Sequence, residues 1–250
     1  MPAITADQMI RALALGVFPM APTRSSAEIN WIEPKLRSII PLDGFRMSRR
    51  FKRTLCSDRF HVTVDTTFSQ VVAGCAAPTE RRLDSWISPA IEAVCAELHQ
   101  RGFAHSVECW RNGQLVGGIF GIAIGAAFTL ESMFSREPDA SKVALAHAIA
   151  RLRVGGFQLA DAQFVSPHLE TLGAITIEQG EYRKLLNAAL AAGGTRAKSP
   201  LESVAPSPVD FYAIDQLAES LSPMKGSLAP NDGRRVVNEL ETARMGLRQS

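Results

Sequence analysis

Between two runs of β-prone residues, His105–Arg111 and Gln114–Phe120, stands the dipeptide Asn112-Gly113. A two-residue connection of this type adopts positive φ without steric cost, so the flanking runs are expected to pair as an antiparallel hairpin. A third apolar run, Ile122–Leu130, reads as a further strand or as a strand pair interrupted at Gly125. This sheet-forming centre is followed by Ser141–Val154, where Val143, Leu145, Ala146, Ala148, Ile149 and Leu152 make a wide apolar helical face that ends at Gly155-Gly156. Strand and helix signals in this order predict a mixed α/β (α+β) layered domain.

The remaining elements extend the pattern. Thr5–Val17 reads as a helix with Thr5 at the N-cap and Gly16 at its end. Trp31-Ile32-Glu33-Pro34 is not a helix interior, because Pro34 cannot continue one. Arg46–Arg53 opens a short helix, His61–Asp65 a strand, and Thr67–Cys75 and Pro89–Arg101 two helices. After the long helix come a strand at Phe157–Val165, a short helix or turn at Ser166–Leu172, a short strand at Ile175–Ile177 and a helix at Glu181–Ala192. Beyond Ala192 a stretch rich in Gly, Ser and Pro reads as a linker, and a helical pattern resumes near Gly233–Gln249. The expected division is a small N-terminal domain (1–36), a catalytic domain (37–192) and a linker with tail (193–250).

Several function classes are excluded early. The 250 residues contain no apolar run of membrane-spanning length, and the N-terminus lacks a basic region of signal-peptide type, so a soluble cytoplasmic protein is expected. Cys56, Cys75, Cys95 and Cys109 show no metal-ligand spacing and read as buried hydrophobes; no metal is expected. Cys75 has no identifiable His partner and is rejected as a nucleophile. A net charge of +2 announces no nucleic-acid partner, so any such claim rests on clustering. The one cluster is Arg46, Arg49, Arg50, Lys52 and Arg53, five cations in eight positions. Gly117-Gly118 and Gly121–Gly125 match neither a P-loop nor a dinucleotide fingerprint, and close packing in the sheet or room for substrate explains them better.

The ordered set LVGG, ESMFSR, ASK-x-AL, D-x-Q, HL and LGA between Leu115 and Ile177 resembles the leucyl/phenylalanyl-tRNA–protein transferases. Gly16-Val17-Phe18-Pro19, Trp31 with Pro34, Cys75-Ala76, Trp86-Ile87 and Ala104–Glu108 extend the likeness over roughly residues 5 to 190. The chain departs from the family pattern in five places: it lacks the usual N-terminal leader, the loop Trp31–Arg37 is altered, Leu130 stands where the family has Gly before the Glu, Ala162 replaces Cys in D-x-Q, and a tail is added.

The resemblance implies an N-acyltransferase-like (GNAT-like) sheet flanked by helices. It also implies transfer of Leu or Phe, and potentially Met, from aminoacyl-tRNA to the α-amine of proteins beginning with Arg or Lys, feeding N-end-rule degradation. An aminoacyl ester is already activated, so no cofactor is expected; the enzyme must align ester and amine and handle one proton. A sheet edge presenting Asp161 and Gln163, at i and i+2 on one face of a strand, fits that task, with Asp161 polarising Gln163. Glu131 is expected to receive a cationic acceptor N-terminus, against the plainer reading of a salt bridge to Arg136 or Lys142. His168 reads as structural.

By match to family positions, Ile119, Phe128, Met133, Ala148 and Leu152 would line the donor's hydrophobic pocket; without the resemblance all five read as core. Trp31 and Trp86 are candidate stacking surfaces for the terminal adenine, whereas Trp110 reads as core. The cationic cluster would track acceptor-stem phosphates. No sequence feature demands an oligomer, so a monomer is expected. The competing readings are an acyl-CoA-dependent N-acyltransferase of related fold and a non-catalytic tRNA-binding protein.

Overall fold

The computed structural model describes residues 4–57, 59–80, 82–192, 209–216 and 232–246. Its elements in chain order are α1 (Ala6–Ala14), β1 (Phe18–Met20), β2 (Asn30–Ile32), β3 (Leu36–Ile39), α2 (Arg49–Leu55), β4 (His61–Val64), α3 (Phe68–Ala76), α4 (Pro89–Gln100), β5 (Ala104–Arg111), β6 (Gln114–Ile124), β7 (Ala127–Ser135), α5 (Ala140–Val154), β8 (Leu159–Gln163), α6 (Pro167–Glu170), β9 (Ile175–Glu178), α7 (Gln179–Ala192) and α8 (Gly233–Gly246). Among the described residues no helix is long and apolar enough to cross a membrane.

Seven strands form one sheet in the order β4-β5-β6-β7-β8-β3-β9, and β1 pairs with β2 in a separate ribbon. Every neighbouring pair in the large sheet is antiparallel except β7 and β8. The hairpin expected at Asn112-Gly113 joins β5 to β6, both turn residues having positive φ (51° and 74°). The apolar run after it is indeed a strand pair: β6 continues to Ile124, turns at Gly125, and returns as β7.

The sheet is covered on both faces. One face buries Val107, Ile119, Phe128 and Leu130 against α2 and α5. The opposite face buries Phe120, Ile122 and Phe134 against α1, α3 and α4. Thr5 caps α1 through a reciprocal pair of bonds with Gln8, as its sequence position predicted. Gly117 is where β6 meets α5, for a Cβ there would lie 2.6 Å from that of Ala140.

From Ala140 to Leu152 nearly every α5 side chain is buried, although an amphipathic helix on a sheet should leave one face wet. The tail supplies the missing cover. Phe211 stacks on Phe128 with centroids 5.4 Å apart, and Ile214, Val236 and Leu240 are about 1% exposed. Arg151 on α5 donates to both carboxylate oxygens of Asp215 at 2.8 Å, and Lys52 on α2 pairs with Glu241 on α8. The described parts of the tail thus belong to the main core; residues 193–208 of the expected linker lie outside the described residues.

Candidate functional site

β7 and β8 run parallel and pair only from Ala127–Thr129 to Leu159–Asp161. Beyond that point they separate, and the reason is local. On β7 the register steps from Gly121↔Leu130 to Phe120↔Ser132, leaving Glu131 as an extra, bulged residue. On β8 it steps from Ile39↔Asp161 to Ser38↔Gln163, leaving Ala162 extra. A bulge bends its strand and re-aims a side chain, so two facing bulges pry the pair open. Gln163 then adopts φ 60°, a left-handed conformation costing a non-glycine residue roughly 1–3 kcal/mol.

The opening is a cavity of about 260 Å³, lined on the β7 side by Ile119, Leu130, Glu131, Ser132 and Met133. Ala162, Gln163, Phe164, Val165, Ser166 and Leu169 close the β8 side, and Met20 and Trp86 complete the lining. A larger, open groove of about 710 Å³ lies between β3, β9 and α7, but neither the bulged residues Glu131 and Ala162 nor the candidates Asp161 and Gln163 line it.

Beneath the cavity lies a buried charge network. Arg37, on β3, donates from Nε to Asp161 Oδ1 at 2.9 Å and from Nη2 to Oδ2 at 2.5 Å. Its Nη1 donates to the Gly16 carbonyl at 3.0 Å, and its guanidinium lies 4.7 and 4.4 Å from the ring centroids of Phe18 and Tyr182. Burial disfavours the guanidinium charge, but the hydrogen bonds and charge of Asp161 outweigh it and leave Arg37 above its ordinary pKa. The Tyr182 hydroxyl donates to Asp161 Oδ2 at 2.8 Å, and the Gln163 backbone N–H donates to Oδ1 at 2.8 Å.

Gln163 Nε2 donates to Glu131 Oε2 at 3.0 Å across the gap. Glu131 is 5% exposed, and its Oε1 has no hydrogen-bond partner among the described residues. Burial pushes its carboxyl up to about 8; the bond from Gln163 opposes the shift, while the charge of Asp161 adds to it.

This geometry corrects several sequence expectations. Asp161 and Gln163 do not share one strand face, because the bulge at Ala162 interrupts the alternation. Nor is β8 a sheet edge; β7 and β3 flank it. Asp161 touches Gln163 through the main chain, and the side-chain amide is held by Glu131 instead. The plain salt bridge for Glu131 is absent too: Arg136 donates to the Leu115 carbonyl at 2.9 Å, and Lys142 pairs with Asp139 at 3.2 Å.

Of the five expected pocket residues, Ile119 and Met133 line the cavity. Phe128, Ala148 and Leu152 do not; each is at most 2% exposed and packs in the core, with Leu130 standing at the cavity wall. Trp86 lines the cavity, whereas Trp31 sits 45% exposed on β2, opposite Pro19 in the ribbon whose strand β1 supplies Met20. Trp110 is half-buried, its Nε1 donating to Thr63.

In the cationic cluster, Arg46, Arg49, Arg50 and Arg53 are exposed without an ion pair to any described residue, while Lys52 is engaged by Glu241. Arg46 donates its backbone N–H to the Leu172 carbonyl at 2.8 Å, which ties the start of the cluster to the segment that follows α6. His168 is held below its ordinary pKa by burial and by Lys142. Burial pushes the Cys75 thiol up to about 12, which agrees with its rejection as a nucleophile. Arg37 and Tyr182 were missed; the only sequence signal was one arginine inside the apolar run Leu36–Ile40.

A family model described as leucyl/phenylalanyl-tRNA protein transferase matches residues 39–187, from the end of β3 into α7, and includes every cavity-lining residue except Met20. A leucyl/phenylalanyl-tRNA–protein transferase from Rhizorhabdus wittichii is 53% identical over 222 residues, covering 86% of this chain and 89% of the relative. Relatives with the same name from Rhodopseudomonas palustris strain BisB18 (48% over 199 residues; 80% of this chain, 86% of the relative) and Novosphingobium aromaticivorans (49% over 187; 75% and 71%) are similar as well. Among solved structures, the C-terminal domain of a putative lysylphosphatidylglycerol synthetase from Agrobacterium fabrum aligns with TM-score 0.36 at 12% identity, covering 78% of this chain and 68% of that one. With most of its cleft inside the matched region and relatives near half identity along most of its length, the chain belongs to the leucyl/phenylalanyl-tRNA–protein transferase family.

Proposed function

We propose that this chain moves a leucyl or phenylalanyl group from tRNA to the N-terminal α-amine of proteins beginning with Arg or Lys, on an N-acyltransferase-like sheet whose parallel pair β7/β8 opens to admit both substrates. The observation that carries this reading is Gln163. Its amide nitrogen is tied to Glu131 and its backbone to Asp161, so its carbonyl oxygen is turned away from Glu131 at a cavity wall of apolar side chains.

The acceptor α-amine, once its ammonium proton has passed to solvent, attacks the ester carbonyl. The Gln163 carbonyl takes a hydrogen bond from the amine N–H and steers it. A peptide bond forms, the ester C–O bond breaks, and the amine proton ends on the departing ribose oxygen. Holding amine and ester in line supplies roughly 7–11 kcal/mol of barrier lowering, which suffices for an ester that is already activated. Arg37 and Tyr182 act as positioning residues for Asp161. Glu131 faces the cationic N-terminus, Ile119 and Met133 the donor side chain, and Trp86 the terminal adenine, with Trp31 within the same ribbon as Met20. Arg46, Arg49, Arg50 and Arg53 meet phosphates of the acceptor stem.

The start of α5 speaks against an acyl-CoA donor. Two of its first amides are already taken, Ser141 N–H by Ser135 Oγ at 3.2 Å and Ala140 N–H by the Glu137 carbonyl at 3.2 Å, and the sequence just ahead of it carries the acidic residues Glu137 and Asp139. A pyrophosphate seeks the reverse. The test is incubation with radiolabelled leucyl-tRNA, phenylalanyl-tRNA or acetyl-CoA and a peptide beginning with Arg or Lys. RNase-sensitive labelling of the peptide N-terminus is expected. Labelling from acetyl-CoA alone, or tRNA binding without turnover, overturns the proposal.

A further inference from the structure

We propose that the cavity where the tail helix α8 meets α2 and α5 is a second binding site of this chain, taking a single nucleotide with its base inside and its phosphate toward Arg234. The cavity measures about 280 Å³, just below the roughly 300–1,000 Å³ usual for ligand pockets, so it admits one small unit. None of its lining residues lines the β7/β8 cleft. Its walls come from the end of α2 (Leu55, Cys56), from β4 and its approach (Phe60, Val62), from α5 (Val143, His147) and from the tail (Asp232, Gly233, Arg234). The tail is built into the site: a Cβ on Gly233 would collide with the Leu55 carbonyl, so α8 starts directly against the end of α2.

The group that calls for an occupant is His147. It stands one turn after Val143 on α5, is 2% exposed, lines the cavity, and makes no hydrogen bond to any described residue. Burial, and after it the charge of Arg151, push its pKa down to about 3, so the ring is a neutral imidazole with one N–H and one acceptor nitrogen. Such a ring suits an uncharged polar edge and not an anion. Leu55, Phe60, Val62 and Val143 make the rest of the interior apolar, as a flat heterocycle requires.

The exposed part of the lining is charged. Arg234 is exposed and has no ion pair with a described residue. It continues a row of such cations, since Arg49, Arg50 and Arg53 lead on α2 into the cavity-lining residues 54–57. Cations outside and an apolar chamber holding an imidazole inside match a phosphate and a base. Asp232 accepts the Arg234 backbone N–H through Oδ1 at 2.7 Å, which leaves Oδ2 for the hydroxyl of a ribose. The nucleotide has two sources, a free mononucleotide or an unpaired residue of tRNA; only the second rests on the transfer reaction proposed above.

Cys56 reports on the site. It lines the cavity and is the one cysteine of the four that is not buried; burial holds its thiol above the ordinary pKa, and the charge of Arg234 opposes the shift. The experiment follows alkylation of Cys56 by iodoacetamide at alkaline pH, where the thiolate forms, in the full-length chain with AMP, GMP, CMP, UMP, inorganic phosphate or tRNA present. A ligand in the cavity at about ten times its Kd should slow the reaction about tenfold. Arg234→Glu, a change at an exposed side chain, should lose most of that protection, as should His147→Leu; if the latter fails to fold, Arg234→Glu decides. Protection by a mononucleotide and not by inorganic phosphate supports the proposal, with tRNA as the source where tRNA protects too and free nucleotide where it does not. Absence of protection by all four mononucleotides overturns it, even where tRNA covers Cys56. Equal protection by inorganic phosphate, or protection that Arg234→Glu leaves unchanged, overturns it as well. A chain that transfers nothing from aminoacyl-tRNA yet shows mononucleotide protection loses the transfer reaction and keeps this site, so the two failures are distinct.

Discussion

Glu131 offers the sharpest physical test of the cleft. Its carboxyl is raised from 4.5 to about 8, chiefly by burial. The native state therefore holds a proton that the unfolded chain releases between those values, and stability must fall as pH climbs through that window. The associated stability is complete below 4.5 and lost by the time pH has passed about 8. At 1.36 kcal/mol per unit, the whole loss is about 5 kcal/mol, and roughly 4 kcal/mol of it falls between pH 5 and 9.5. Glu131→Gln replaces the neutral carboxyl by a neutral group of the same shape that does not titrate. The difference in unfolding free energy between variant and wild type, from urea titrations across pH 5 to 9.5, should grow in favour of the variant by that amount. Other titrating groups, including the buried thiols, are common to both proteins and cancel. A difference that stays within about 1 kcal/mol across the range would mean that Glu131 is ionised throughout and that its burial has been misjudged. The same chemistry reaches substrate: an ammonium favours the ionised carboxylate, so binding of the acceptor peptide should release a proton and tighten with rising pH in wild type but not in Glu131→Gln.

Three further outcomes are expected. Arg37→Met strands the Asp161 carboxylate in the interior and should cost about 3–5 kcal/mol in denaturant titration, with much of it recovered in Arg37→Met/Asp161→Leu; a cost below about 1 kcal/mol would refute the paired-charge reading. Phe211→Ala removes a ring that packs on Phe128, Phe157 and His105, and should destabilise the whole protein by about 3–5 kcal/mol; an unchanged denaturation midpoint would show that the tail is not part of the core. Arg49→Ala/Arg50→Ala should weaken tRNA binding and flatten the plot of log affinity against log salt by about 1–2 units of slope, and an unaltered slope would remove these cations from the phosphate path.

What could be read from the sequence follows a physical division. Signals that depend on neighbours a few residues apart were legible: the Asn112-Gly113 turn, the Thr5 cap and the long apolar face of α5. Pairings across long separations were not. β3 escaped notice because Leu36–Ile39 is only four residues long and makes sense as a strand only beside β8, more than a hundred residues later. Arg37 was hidden for the same reason, since its role exists only once Asp161 and Tyr182 arrive. The catalytic candidates Asp161, Gln163 and Glu131 did converge, but by a different wiring, because an extra residue in a strand leaves no mark in the alternation of polar and apolar letters.

The departures from regular structure concentrate where the chemistry is proposed. Among the described residues four non-glycines have positive φ; three are Asp or Asn, which tolerate it, and Gln163 is the fourth. Both strand bulges next to the cleft leave their extra residue in its lining. The unpartnered Glu131 Oε1 and the buried Arg37–Asp161 pair lie within the same network. Each feature costs stability, on the order of 1–3 kcal/mol for the strained backbone and as much again for the orphaned oxygen. Packing elsewhere must offset them, and the cover that the tail gives α5 is one such source. The return is a glutamine amide fixed at both ends before any substrate arrives. A hydrogen-bond acceptor held in that way needs no reorganisation when the amine approaches the ester, and preorganisation of this kind is how the proposed transfer would gain rate.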